Sequence, residues 1–307
     1  MGYATDALYD KPSVLIGRKG TINKVRYVDH PFWTVDTLFY TEVNENLVIP
    51  KYLYYLMSLL DLDSCNEGTT IPSLRTETLN RLEFDIPNLD YQGKVLSMLE
   101  PIDGKIKLNE EVNNNLEQQA QAIYCDMFIT NVNPSWQLGR LSDLITVRYG
   151  KDHKKLADGI YPVYGSGGIM RYVEKPLYDK ESVLIPRKGT LNNVMYVNKP
   201  FWSVDTMFFT EMKLPNVAKF VFHFVKSKDL ASLNAGSAVP SMTTDILNAM
   251  ELSIPDADTF YKFENIVAPL YQAMQQNTQE SSKLAELRDS LLPRLMSGEI
   301  DVSAVQL

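Results

Sequence analysis

Residues 8–42 and 177–211 are two copies of one sequence. LYDKPSVLIGRKGTINKVRYVDHPFWTVDTLFYTE returns as LYDKESVLIPRKGTLNNVMYVNKPFWSVDTMFFTE, with 25 of 35 positions identical. The offset of 169 residues then slips to 168. GTTIPSL (Gly68 to Leu74) returns as GSAVPSM (Gly236 to Met242), and RLEFDIP, ending at Pro87, returns as AMELSIP, ending at Pro255. Pairs at 168 continue through Pro101 and Pro269, Asn109 and Asn277, Leu116 and Leu284, and Phe128 and Met296. Two copies of one module therefore make up nearly the whole chain. A duplicated chain tends toward internal two-fold symmetry, which suits a target that itself has two halves.

The copies are unequal. The second opens near Trp136 with WQLGRLSDLITVRYGKDHKKLADGIYPVYGSGGIM, and Met1 aligns with Met170, so the first is expected to be truncated at its N-terminus. A misassigned start, a shortened natural gene and a deliberately cut sequence all fit that pattern.

A length of 307 residues accommodates two domains with substantial cores. No run of about 18 apolar residues and no basic-then-apolar start occurs, so neither a membrane span nor a secretory signal is expected. Cys65 and Cys125 lie at non-equivalent positions and form no metal or redox spacing, which fits a reduced cytoplasmic setting. The net charge of −8 is unevenly placed: residues 136–255 hold 15 Lys and Arg against 11 Asp and Glu, while residues 1–90 hold 8 against 13. The complete copy is thus net basic, which permits phosphate contacts there.

Within a module, short β-branched runs alternate with turn residues. Ser13–Ile16, Lys24–Val28 and Thr34–Tyr40 read as strands. An amphipathic helix (Lys51–Leu60, matched by Lys219–Ser227), a polar glycine loop and a last strand ending at Ile-Pro follow. Beyond each domain the pattern changes. Positions 102, 106, 109, 113, 116, 120, 123 and 127, and their counterparts from 270 to 295, keep an alternating spacing of four and three, the sign of a coiled-coil seam. Pro101 and Pro269 are expected near the helix starts, and Gly298 just past the last helix. Asn109 and Asn277 share a seam position, where a buried amide pair would fix register.

The resulting expectation is an α+β protein of two repeated modules. Its parts are a first domain (1–90), a first helix (91–131), a second, complete domain (132–257), a second helix (258–300) and a tail (301–307). The two helices should pair as an antiparallel coiled coil with pseudo-two-fold symmetry.

This order of motifs resembles the specificity (S) subunits of type I restriction-modification systems over essentially the whole chain. The carrying residues are Trp136-x-Leu138-x-x-Leu141-x-x-Leu144, YGSGG (Tyr164–Gly168), SVLIPRKGT (Ser182–Thr190), GSAVPSMT (Gly236–Thr243) and LLPRLMSGEI (Leu291–Ile300). The resemblance implies two target-recognition domains, each reading one half of a split DNA site in the major groove. It also implies a helix pair that spaces the halves and docks methyltransferase (M) subunits, two in number, with the restriction/translocase (R) subunit joining them. Adenine methylation in each half, and a recognition subunit that performs no chemistry itself, follow from the same resemblance.

The residues agree on the last point. No Asn-Pro-Pro-Tyr methyltransferase motif and no GxxxxGK[ST] loop occurs, and His30, His153 and His223 lie apart in sequence, so neither catalytic residues, a metal site nor a cofactor is expected. The candidates for DNA contact are Arg18, Lys19 and Thr21 with their repeats Arg187, Lys188 and Thr190, phosphate being favoured over base. Lys151, Lys154 and Lys155 form a second basic cluster, and Ser166 lies in the glycine-rich loop. Ser237, Ser241 and Thr243 offer hydroxyls, although a loop that ties down its own backbone by Ser/Thr turns is the stronger reading. Phe32-Trp33 and Phe201-Trp202 are expected in the core.

Two such similar domains about a pseudo-two-fold axis should select a near-palindromic, interrupted site. With its opening missing, the first domain should bind DNA poorly unless another chain completes it, which allows self-association there. The rival reading is a remnant S subunit that docks methyltransferase subunits as a scaffold without specific DNA binding.

Overall fold

The computed structural model describes residues 4–233 and 241–305, which fold as two compact units. Unit one comprises the described residues up to 111 and from 276 onward; unit two comprises those between 112 and 275. The protein is α+β, with short sheets followed by one long helix in each half.

In unit one, β1 (Ser13–Gly17), β2 (Arg26–Val28) and β3 (Leu38–Tyr40) form an antiparallel sheet of order β2-β1-β3. The helix α1 (Pro50–Ser58) starts on a proline that presets its first turn, and α2 (Thr76–Asn80) follows. The helix α3 runs over Leu89–Cys125 and continues into a π turn, Asp126–Thr130. The apolar face of α1 brings Tyr52 and Tyr55 against Val95, Leu96 and Leu99 of α3, while Met57 joins Val14, Ile16 and Ile22 from the sheet. The tail closes this core, with Val302 fully buried in it.

Unit two holds β4 (Gln137–Arg140), α4 (Leu141–Leu144), β5 (Ile145–Tyr149), the hairpin β6 (Tyr161–Gly165) and β7 (Gly168–Val173), β8 (Ser182–Pro186) and β9 (Met195–Val197). After these come β10 (Trp202–Ser203), β11 (Met207–Met212), α5 (Ala218–Lys226), α6 (Thr244–Asn248), β12 (Glu251–Ile254) and α7 (Ala257–Met296), whose residues from 276 onward belong to unit one, just as those of α3 from 112 onward belong to unit two. The sheet β9-β8-β11 repeats β2-β1-β3 strand for strand, and β5 extends it at the β11 edge. A second sheet has order β10-β6-β7, and β12 pairs with β4. Phe220, Phe224, Tyr124, Phe128 and Phe263 form the centre of the core, with ring centroids 4.8–5.5 Å apart in several pairs, the tilted and edge-on range aromatic rings prefer.

The long helices run antiparallel within each unit. Tyr91 bonds the Leu295 carbonyl and Arg288 bonds Asp103 in unit one, while Asn113 bonds the Met274 carbonyl in unit two. Asn109, 2% exposed, donates to the main-chain carbonyl of Asn277 at 3.3 Å, to Glu280 Oε2 at 2.8 Å and to Ser281 Oγ at 3.2 Å. The Asn109–Asn277 link is therefore amide to backbone, a contact less sensitive to the identity of residue 277 than an amide pair would be. Among the described residues no helix is long and apolar enough to cross a membrane.

Four expectations need correction. Pro101 and Pro269 do not mark helix starts; both lie more than three turns inside, α3 beginning at Leu89 and α7 at Ala257. Each sits on the exposed side of its helix, where the lost backbone bond opens to water, while Leu99 and Val267 beside them anchor the buried side. Residues 34–37 form a turn ahead of β3, with the Leu38 N–H bonded to the Val35 carbonyl. No strand forms at residues 83–86, whereas β12 is held by β4, and no strand is paired with residues 83–86 among the described residues. Finally, Phe201 and Trp202 are buried but Trp33 is 59% exposed. Trp202 packs against Val163 and Val173 of the β6–β7 hairpin and donates its indole N–H to the Lys151 carbonyl; among the described residues no such hairpin covers Trp33.

Candidate nucleic-acid interface

The basic loop after the first sheet strand has the same architecture in both units. In unit two, Arg187 and Lys188 direct their N–H groups to the Thr206 carbonyl, and the Met242 N–H returns to the Arg187 carbonyl. Lys188 bridges Ser241. In unit one, Arg18 and Lys19 bond the Thr37 carbonyl, the Leu74 N–H returns to Arg18, and Lys19 bridges Ser73. Gly20 and Gly189 both take φ +85°, a left-handed conformation that a side chain would strain. Two loops distant in sequence are thus zipped together, once per module.

The arginine side chains are held while the lysines are not. The Arg187 guanidinium lies over the Tyr149 ring, 5.3 Å from its centroid, and donates to the Asp205 carbonyl at 3.2 Å. Arg18 lies over Phe39 at 5.7 Å and donates to the Asp36 carbonyl at 3.3 Å. No carboxylate pairs with Arg18, Lys19, Arg187 or Lys188 among the described residues, and both lysines are exposed. Cations left without counter-ions at the surface are available to phosphate.

Other candidates divide. Ser166, at the turn between β6 and β7, joins the loop: a Cβ added at Gly189 would lie 2.8 Å from its Oγ, and Asn193 donates to its carbonyl at 2.7 Å. Lys151 is tied to the same rim through the Ser203 carbonyl, next to the turn that holds Arg187. Lys154 and Lys155 are exposed on the following turn, where the Lys154 N–H bonds Asp152. The Lys154 amide holds the Asp152 carboxyl below its usual range, so this carboxylate opposes some of the positive charge. Thr243 is occupied as the N-cap of α6, accepting from the Ile246 N–H at 3.3 Å. Thr21 and Thr190 are exposed, the Thr190 carbonyl accepting from the Asn193 N–H. Ser237 lies outside the described residues.

The modules differ where Gly17 stands in place of Pro186. A Cβ on Gly17 would lie 2.1 Å from the Thr21 carbonyl oxygen, so the first loop folds closer to its strand than the second. Sequence reasoning missed Asp205 and Asp36, whose main-chain carbonyls position the arginines, and Asn193, which fixes the glycine-rich turn. The repeated VDT was a signal for the first two; Asn193 gave none, because its counterpart is Lys24.

Each of the two modules therefore carries a paired basic loop on a small sheet followed by a long helix. The chain belongs to the family described as the type I restriction modification DNA specificity domain, whose model matches residues 1–118 and 133–287. It is 22% identical to the type I restriction enzyme MjaIX specificity subunit of Methanocaldococcus jannaschii, over 96% of this chain and 79% of that one. It is 21% identical to the HindI specificity subunit of Haemophilus influenzae, over 87% and 81%. Its fold is similar to the crystal structure of the type I restriction-modification S subunit from M. genitalium, with a TM-score of 0.55 at 20% identity, covering 96% of this chain and 85% of that one. The chain is accordingly a type I specificity subunit, a recognition component and not a catalytic one.

Proposed function

We propose that this subunit reads a bipartite, near-palindromic DNA site, using residues 1–90 and 132–257 as recognition domains. The helices over 91–131 and 258–300 dock two methyltransferase subunits, and the restriction/translocase subunit joins that assembly in the cytoplasm. The observation that carries this reading is the doubled loop pair: Arg18-Lys19 and Arg187-Lys188 are held alike and, among the described residues, pair with no carboxylate. The identical Arg-Lys-Gly-Thr turns suit contacts that both halves of a site have in common. Asn109 and its partners on α7 keep the helix pair in one register.

The test is long-read methylation mapping of DNA from cells that express this chain with its methyltransferase subunit. A modified-adenine motif in two near-symmetric halves is expected. Absence of modification with the methyltransferase folded and bound would overturn site reading and leave the chain as a docking scaffold. The acidic balance of residues 1–90 is the observation favouring that second reading.

A further inference from the structure

Two surfaces of different character meet at the rim of unit two. The Arg187-Lys188 loop is one, and its residues, backbone pairing and glycine conformation recur in unit one. A contact so fully shared matches what every duplex offers alike, the sugar-phosphate backbone, and carries little sequence information. The other surface is the β6–β7 hairpin, whose turn is fastened to that loop through Ser166, Gly189 and Asn193.

The strand leaving this turn is apolar where it should be polar. β7 is the outer strand of its sheet, and Ile169, Met170 and Tyr172 are 51%, 60% and 49% exposed. Single exposed apolar residues are ordinary, but here three lie within four positions, and the bulge that leaves Met170 without a strand partner breaks the alternation that would otherwise part it from Ile169. The intervening Arg171 is turned back, bonded to Asp158 at 2.7 Å and to the Leu156 carbonyl at 3.0 Å, so its charge is spent within the protein. Met170 is held across the turn: a Cβ on Gly165 would lie 2.6 Å from its Sδ.

An apolar patch bordered by unpaired cations is complementary to the major groove of duplex DNA. Phosphates line the groove edges, a two-stranded ribbon fits its width, and the thymine C5-methyl is the one apolar group on the base edges. We infer that the turn end of the β6–β7 hairpin is the base-reading element of the second module, with Ile169 and Met170 set against a thymine methyl while Arg187 and Lys188 hold phosphate. This rests on the DNA-recognition reading above.

The experiment uses the intact subunit with its methyltransferase partner and a duplex library randomised over about 20 base pairs. The selected sequence is then resynthesised with deoxyuridine replacing each thymidine in turn, which removes only the methyl. Binding should weaken about fourfold, the worth of one buried methyl, at one thymine of one half-site. Ile169→Ala and Met170→Ala, both at exposed positions, should abolish that methyl sensitivity and leave the salt dependence of binding unchanged. Lys188→Ala should do the reverse. The inference is overturned if no thymine is methyl-sensitive, or if both hairpin variants retain full sensitivity. If the wild-type assembly selects no sequence, the DNA-recognition reading fails first, a result distinct from selection without methyl sensitivity.

Discussion

Tyr55 donates its hydroxyl to Asp103 at 2.5 Å, and the equivalent positions in the second module, His223 and Tyr271, bond each other at 2.9 Å with the donor reversed. Both pairs join the module's short helix to a long one. In unit one the pair is charged, Asp103 also binding Arg288 at 2.9 Å; in unit two it is neutral, His223 Nδ1 donating to Gln121 Oε1 at 2.8 Å. Duplication has kept the geometry of this junction and changed its chemistry.

The neutral junction makes unit two acid-sensitive. Burial lowers the His223 pKa to about 4, from 6.5 in the unfolded chain. The unfolded state therefore takes up a proton first as pH falls, and stability present above pH 6.5 is lost progressively down to about 4. The loss from this group is about 3 kcal/mol between pH 7 and pH 4. Thermal unfolding followed across that range should show it, and His223→Gln should flatten the dependence; an unchanged profile in that variant would assign the acid sensitivity to other groups.

The charged junction is sensitive to truncation instead. Asp103→Ala strands the buried Tyr55 hydroxyl and removes one of the two carboxylates on Arg288. A cost of about 2–3 kcal/mol in urea unfolding is expected, discounted because the ion pair is partly exposed. Asp103→Asn should recover part of it by keeping an acceptor for Tyr55.

The basic loops should act on affinity through ions. Lys19→Ala and Lys188→Ala each remove one exposed, unpaired cation, so each should reduce the slope of log binding constant against log salt by about 1. Fluorescence titration of a labelled duplex at several salt concentrations reads this directly. A slope unchanged in both variants would remove the two lysines from the interface.

Thr243 should behave oppositely to those lysines. Its hydroxyl caps α6, so Thr243→Ala is expected to cost about 1 kcal/mol of stability. DNA affinity, measured on the same preparation at a temperature well below unfolding, should stay within twofold of the parent.

Much of this was legible in the sequence because the repeat supplied its own alignment. The strands around Val14 and Val183, the helix pair and the basic loops all follow from period and from recurrence at a fixed offset. What escaped depends on packing between segments distant in sequence. Trp33 and Trp202 are the same residue in near-identical surroundings, yet only Trp202 finds Val163 and Val173 to cover it. The prolines misled because propensity places Pro at a helix start, whereas Leu99 and Val267 beside them hold the buried side of each helix in place. The pairing of Lys188 with Ser241, and of Lys19 with Ser73, is a backbone bridge between loops that no local pattern announces.

Gly17 and Pro186 show how far the copies have become separate inventions. With the Thr21 carbonyl 2.1 Å from where a Cβ would stand, the first loop has closed around the absence of a side chain, a closure that the proline ring at 186 forbids in the second. Transplanting a residue from one module to its counterpart is therefore a graft between hosts and not an exchange of spare parts. Altered specificity built by swapping segments of this protein will need whole loops, cut where both backbones still coincide.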